Sequence, residues 1–185
     1  GSSDANQGQG KYYIDANYGV AMFQGSVVQS KAGYIADAEA ARTRLTIGIL
    51  NGIFFNAATT QKPTFQNHYV ANTVPANSED ITAFVIDNPL QLFAVGVDGA
   101  ITAASYGLTA SMTQAVPAGS TLSGQSSKQL NVAANTSATA NQFRLLRSAE
   151  DVENEDGTVA NSTIIVTQNL NQYLQNTGTA GITWQ

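Results

Sequence analysis

Chemistry needs groups that move protons, hold metals or attack bonds, and this chain offers few of them. It has one histidine, His68, and no cysteine. Without cysteine there is no disulfide, no thiolate nucleophile and no Cys-ligated zinc or iron–sulfur centre. A serine nucleophile wants a histidine and an acid in mutual reach. His68 lies within Pro63-Thr64-Phe65-Gln66-Asn67-His68-Tyr69-Val70, beside Phe65 and Tyr69 in a strand-like stretch. That setting suits a structural or surface imidazole, and no serine occupies a Gly-x-Ser-x-Gly elbow. Gly119-Ser120-Thr121-Leu122-Ser123-Gly124 has the glycine spacing of a phosphate loop. Gln125 and Ser126 follow, so the lysine that would reach the phosphates is missing. Asp151, Glu153 and Glu155 alternate ahead of Asp156-Gly157. A calcium loop starting at Asp151 would want Gly at 156 and Glu at 162, where Asp156 and Ser162 stand. A solvated acidic turn is the simpler reading. The expectation is no enzyme, with no catalytic residue, no cofactor and no metal site.

The elements that would carry any site read mainly as strands. Tyr12-Tyr13-Ile14 is a short apolar run, followed by Val20–Phe23 and Ser26–Gln29 around Gln24-Gly25. Residues 35–44 are Ala-rich with weak helical spacing and predict a loop or one short helix. Leu45–Phe55 is the most apolar segment. It forms either one long strand or two strands with Asn51-Gly52 as a hairpin turn. Phe65–Val70, Ile81–Asp87 and Leu92–Val97 are further strands, and Val97-Asp98-Gly99-Ala100 carries a hairpin signal before Ile101. Residues 108–128 are loop-rich. Leu130 and Val132 suggest a short strand, while Gln142–Ser148 and Ser162–Asn169 are the last clear ones. Leu170, Tyr173 and Leu174 have helical spacing over a short run. Ile81, Ala83, Val85 and Asp87 share one strand face and Thr82, Phe84 and Ile86 the other. Apolar groups on both faces predict a central strand, and Pro89, lacking an N–H, marks the turn that ends it.

This supply of short strands and turns predicts a mainly β protein: a single β-barrel or β-sandwich-like domain over 11–175, with at most one or two short helices. Residues 1–10 are small and polar and read as an extended, flexible arm; 176–185 form a C-terminal tail. Charged residues are only 11% of the chain, against about 25% in ordinary domains. Thr, Asn, Gln and Ser together supply 64 of 185 residues. So charge-poor a surface suits packing against neighbours better than life as a free monomer. The net charge is -5, and the only basic clusters are the pairs Arg42/Arg44 and Arg144/Arg147. Non-specific nucleic-acid binding needs several phosphates neutralised together, so no nucleic-acid partner is expected. No run approaches 18 apolar residues, so no membrane-spanning helix is expected either.

Five blocks in order carry a resemblance. They are Tyr12-Tyr13-Ile14; Ile47-Gly48-Ile49-Leu50-Asn51-Gly52; Asp80-Ile81-Thr82-Ala83-Phe84-Val85-Ile86-Asp87-Asn88-Pro89 continuing to Leu92-Phe93-Ala94-Val95; Ser120-Thr121-Leu122-Ser123-Gly124-Gln125-Ser126; and Asn141-Gln142-Phe143-Arg144-Leu145-Leu146. Ile164, Ile165 and Val166 before Asn169 and Tyr173 complete the pattern. From about Lys11 to Tyr173 the chain resembles a family of tailed-phage virion structural proteins associated with head decoration or stabilisation. The acidic loop at 150–157 and the tail after Gln175 are not part of that pattern. The resemblance implies a capsid decoration (cement) protein on the outer surface of the virion, bound to the major capsid protein at junctions between its subunits. It also implies a homo-oligomer, with trimers suited to three-fold junctions. Gly1, Ser2 and Ser3 of the arm, with Tyr12, Tyr13 and Phe84, are the expected interface residues. The alternative is a fibre or head-fibre module that recognises host glycans, a role that calls for an aromatic platform; Trp184 is the only tryptophan.

Overall fold

In the computed structural model, residues 8–38, 45–113, 118–133, 135–139, 141–150 and 159–173 are described. The chain divides into two compact units. The first is assembled from Gly1–Ala38, Ile47–Asn88 and Ala115–Ser127, the second from Glu39–Thr46, Pro89–Gln114 and Lys128–Gln185.

The first unit holds β1 (Gly10–Ile14), β2 (Val27–Lys31), β3 (Tyr34–Asp37), β4 (Gly48–Asn56), β5 (Pro63–Gln66) and β6 (Ile81–Ile86). They form one antiparallel sheet in the order β1-β6-β4-β2-β3, with β5 paired to the second half of β4. Period-2 alternation explains its core. Ile81, Ala83 and Val85 are fully buried, while Thr82, Phe84 and Ile86 between them are half-buried. Ile14, Val28, Ile35, Leu50 and Ile53 join them, with Met22 and Tyr69 from the connecting segments. β6 lies between β1 and β4, the central position its two apolar faces predict.

Leu50 and Ile53 are three residues apart, yet both are buried. A regular strand would turn one of them outward. The register resolves this: Leu50 faces Val85 and Ile53 faces Ala83, so Asn51 and Gly52 together oppose Phe84. This is a β-bulge. Asn51-Gly52 is therefore not the hairpin turn that its residue types allow, and β4 is one long strand. Burying two large aliphatic side chains in the core outweighs the local turn preference.

The second unit holds β7 (Leu92–Gly96), β8 (Thr109–Ala110), β9 (Phe143–Ser148) and β10 (Thr163–Gln168), in the order β7-β10-β9-β8, again antiparallel. Its buried groups are Phe143, Leu145, Ile164 and Val166 from the sheet, with Val97, Ile101, Met112, Leu130 and Val132 from loops. Those loops are fastened by side-chain hydrogen bonds, most of them from neutral amides and hydroxyls. Asn141 Nδ2 donates to Thr109 O (3.0 Å), Asn169 Nδ2 to Asn141 O (2.9 Å), and Thr109 Oγ1 to Ala138 O (2.7 Å). Gln142 Oε1 accepts from Met112 N–H at 3.1 Å, and Asp98 Oδ1 from Val132 N–H at 2.9 Å. Part of the amide- and hydroxyl-rich composition thus replaces ladder hydrogen bonds inside the fold, where a buried unpaired backbone group would be costly.

The protein is mainly β with two antiparallel sheets, as the strand pattern predicts, and neither hydrogen-bonded order closes into a barrel. Several local expectations are corrected. Residues 35–37 are strand, because Ala32 and Gly33 take the positive φ angles (52° and 88°) of a two-residue hairpin loop and return the chain along β2. No hairpin forms at Asp98-Gly99. Val97 pairs in parallel with Leu130 instead, and a 3₁₀ turn at Ala103–Ser105 follows Ile101. Leu130 and Val132 are buried, but Leu130 makes isolated bridges only. Val20–Phe23 is likewise irregular, tied to Tyr69 through Met22. Asn171 bridges to Thr46, and Leu170 does not start a helix. A second 3₁₀ turn spans Ala76–Ser78.

Candidate functional site

The face of the first unit's sheet turned away from its core is aromatic. Tyr13 on β1 is 43% exposed, and the Lys11 amine lies 5.4 Å from its ring centre. Phe84 on β6 points the same way, against the Phe65 ring at 6.4 Å and 14°. Phe65 faces Phe54 across β4 and β5, their rings 4.7 Å apart and tilted by 44°. Phe65 is 73% exposed. So large an apolar side chain left in water is the informative kind of exception.

Beside these rings lies an open depression of about 410 Å³ lined by Phe65, Phe84, Gln9, Asn51, Gln66 and Asn67, with Gly52 and Ile53 behind them. The bulge builds it. Gly52 stands opposite Phe84 without a side chain, and Asn51 beside it brings an amide to the rim. Asn67 is held on two sides: its Nδ2 donates to Ser123 O at 2.7 Å, and its Oδ1 meets His68 Nδ1 at 3.2 Å. Ser123 belongs to the tight turn of 119–126, in which Gly124 N–H donates to Ser120 O at 2.7 Å. Gly124 has φ +70° and sits so close to Asn67 that a Cβ would lie 1.8 Å from its Oδ1. Leu122 at the tip of that turn is 97% exposed.

His68 stacks on Phe23 (5.8 Å, 12°). Its hydrogen-bond partner is an amide, not an acid, which is no arrangement for general-base catalysis. Among the described residues no group of three or more His, Cys, Asp or Glu could hold a metal. The acidic residues 151–156 lie outside the described residues, as do Gly1, Ser2, Ser3 and Trp184. Of the two perturbed interior phenols, Tyr69 donates to Tyr18 O at 2.7 Å, and burial pushes it up to about 12. Burial also raises Tyr18, whose hydroxyl accepts from Asp37 N–H. The neighbouring Asp80 carboxylate raises Tyr34 through its charge and a hydrogen bond.

The second unit offers a different surface. β7 is an end strand, paired on one side with β10. Leu130 N–H reaches Gly96 O at 2.9 Å and closes one end of the other side. Over Leu92–Val95 no strand pairs with that other side among the described residues. Leu92 is 48% exposed. The segment Leu92-Phe93-Ala94-Val95 carries no charge and no proline, the usual protections of a sheet edge.

No known protein family, curated protein or solved structure matches this chain. Its surfaces therefore speak through their chemistry. Of the interface residues expected from sequence, Tyr13 and Phe84 share the outer face of one sheet. Tyr12 does not, because it alternates with Tyr13; its hydroxyl donates to Asp87 Oδ2 at 2.7 Å. The features missed in the sequence are Phe65, the amides beside it and the bare edge of β7. In the sequence Phe65 stands only as the start of a strand beside His68, and the pairing of short β5 with the end of β4 turns it outward.

Proposed function

We propose that this chain is a decoration (cement) protein of a tailed-phage head, bound on the outer capsid surface at junctions between major capsid subunits. The observation that carries the reading is the apolar edge of β7, which no strand covers over Leu92–Val95 among the described residues. It lies inside the segment with the strongest resemblance to head-decoration proteins, Asp80 to Val95. An edge of this kind accepts an extended segment of another chain as an added strand, with main-chain hydrogen bonds for affinity and alternate side chains for specificity. Attachment needs only modest interfaces where each copy touches two subunits, since the second contact is effectively intramolecular. A protein that binds only the assembled shell stabilises it by mass action. Leu122 offers a knob for such a second contact, and homo-oligomers at three-fold junctions suit the same scheme.

The test mixes purified protein with phage heads stripped of it, followed by sedimentation and cryo-EM. Wild type is expected to occupy the subunit junctions in stoichiometric amounts. Ala94→Lys, which charges the exposed side of the edge, should lose occupancy while the free protein melts normally. Failure of wild type to bind heads overturns the reading, and occupancy of a single vertex or tail favours a fibre module instead.

A further inference from the structure

We propose that the depression beside Phe65 is a binding site for a neutral carbohydrate. The inference stands apart from the capsid reading, since it concerns the first unit's sheet alone and can be tested on the isolated protein. Three observations carry it. The first is the platform: Phe65 is 73% exposed, yet held in place by Phe54 at 4.7 Å and Phe84 at 6.4 Å. The negative face of an aromatic ring attracts the C–H groups on the apolar side of a pyranose. The second is the rim. Gln9, Asn51, Gln66 and Asn67 bring four carboxamides around the ring. Asn67 is locked by Ser123 and His68, and Asn51 Oδ1 accepts from Gln24 Nε2 at 2.9 Å. The Asn51 amide nitrogen and the whole carboxamides of Gln9 and Gln66 have no partner among the described residues. A carboxamide offers a donor pair and an acceptor side by side, which matches neighbouring hydroxyls that both donate and accept.

The third observation is neutrality. Among the described residues no charged side chain lines the depression, and the nearest cation in register, Lys11, carries its amine over the Tyr13 ring. A sulfate, phosphate or uronate would give up its hydration here for no counter-charge, whereas a neutral sugar exchanges water hydrogen bonds for amide ones. Concave sites with an apolar floor and a few convergent polar groups are where small ligands bind. Gly52 keeps the floor open: a side chain there would crowd Gln66 O, 3.1 Å from its Cβ position.

The experiment titrates the full chain with cellohexaose, maltohexaose and chitohexaose by NMR and calorimetry, with a tri-galacturonate as the charged control. At least one neutral oligosaccharide should bind with a Kd of about 1 mM, the weak affinity of a shallow, single-ring site. The shifted resonances should include the side-chain amides of Gln9, Asn51 and Gln66. Phe65→Ala should weaken binding at least about tenfold, a change of about 1.4 kcal/mol, and Phe65→Trp should retain or improve it. Gln66→Ala should weaken it less. Phe65 is exposed enough for its variants to fold, which thermal melts would check, and Gln66→Ala gives an independent reading. The proposal is overturned by no binding of any neutral probe at about 10 mM, by binding indifferent to both substitutions, or by tighter binding of the charged control. It is equally overturned if Phe65→Ala abolishes attachment to heads while no sugar binds, since the patch is then a protein interface.

Discussion

Val85→Ala and Phe84→Ala, one residue apart on β6, should destabilise the fold to different degrees. Val85 is fully buried in the core of the first unit, opposite Leu50. Removing two of its carbons forfeits about 1.6 kcal/mol of transfer free energy. The space left behind is enclosed by strands on both sides, so the cavity persists and the total reaches about 2–3 kcal/mol. Phe84 is larger, but it lies half-buried on the outer face, where truncation opens onto water and leaves no enclosed void. Its main loss is the ring contact with Phe65, worth about 1 kcal/mol. In a chain of this size each kcal/mol moves the melting temperature by about 2–4 °C. Val85→Ala should therefore lower it by about 4–12 °C and Phe84→Ala by about 2–4 °C. Calorimetry with near-ultraviolet circular dichroism would measure both. A Phe84→Ala variant as unstable as Val85→Ala would refute the assignment of the two faces, and with it the aromatic outer surface.

Gly124→Ala should cost at least about 1–2 kcal/mol, because it forces a side chain into the left-handed region, and it should also shift the Asn67 side-chain amide in NMR spectra. In the unfolded chain Tyr69 ionises near pH 10.0 and in the folded one near 12. The fold thus favours the protonated phenol; stability is full below pH 10 and falls as pH rises towards 12. Tyr69→Phe should remove that contribution to the alkaline decline, read by ultraviolet difference spectroscopy at the phenolate band. Deleting Asn51 removes the bulge and brings Leu50 and Ile53 two positions apart, the spacing that puts both on the core face of a regular strand. Thermal melts of the deletion and of Asn51→Ser should both keep a cooperative transition without dye-accessible apolar surface, and loss of cooperativity on deletion would refute the assignment of the bulge as the device that sets the phase of Leu50 and Ile53.

The strands legible in the sequence were those with full alternation or strong apolar content: Ile81–Ile86, Leu92–Gly96, Phe143–Ser148 and Thr163–Gln168 all match within a residue or two. Misreadings arose where a local signal met a stronger tertiary demand. At Asn51-Gly52 the turn chemistry left one long strand and a hairpin both open, and the core's demand for both Leu50 and Ile53 selects the long strand. Residues 35–37 look helical by composition, yet a two-residue loop at Ala32-Gly33 pairs them with β2. Asp98-Gly99 has hairpin chemistry, but Asp98 spends its carboxylate on Val132 N–H instead. The candidate site was barely legible. Its floor is a missing side chain at Gly52, and its amides come from β4, β5 and the chain before β1, which only the sheet register brings together. The high Asn, Gln and Thr content was legible as a number but not as a location, since many of these groups turn inward to fasten loops.

The two compact units are each stitched from three stretches of chain, so the polypeptide passes from one to the other five times. No single cut can release either unit as a continuous fragment. A protease that nicks one surface loop leaves every piece still embedded in its sheet through hydrogen bonds. The same threading has a kinetic side. Native pairs such as β1 with β6 must be found across about 70 residues of intervening chain, and loop closure over such distances precedes the reward of contact. Folding should be slow for the size of the protein and should resist separation into independently folding halves. Durability once formed is obtained at the expense of speed in forming.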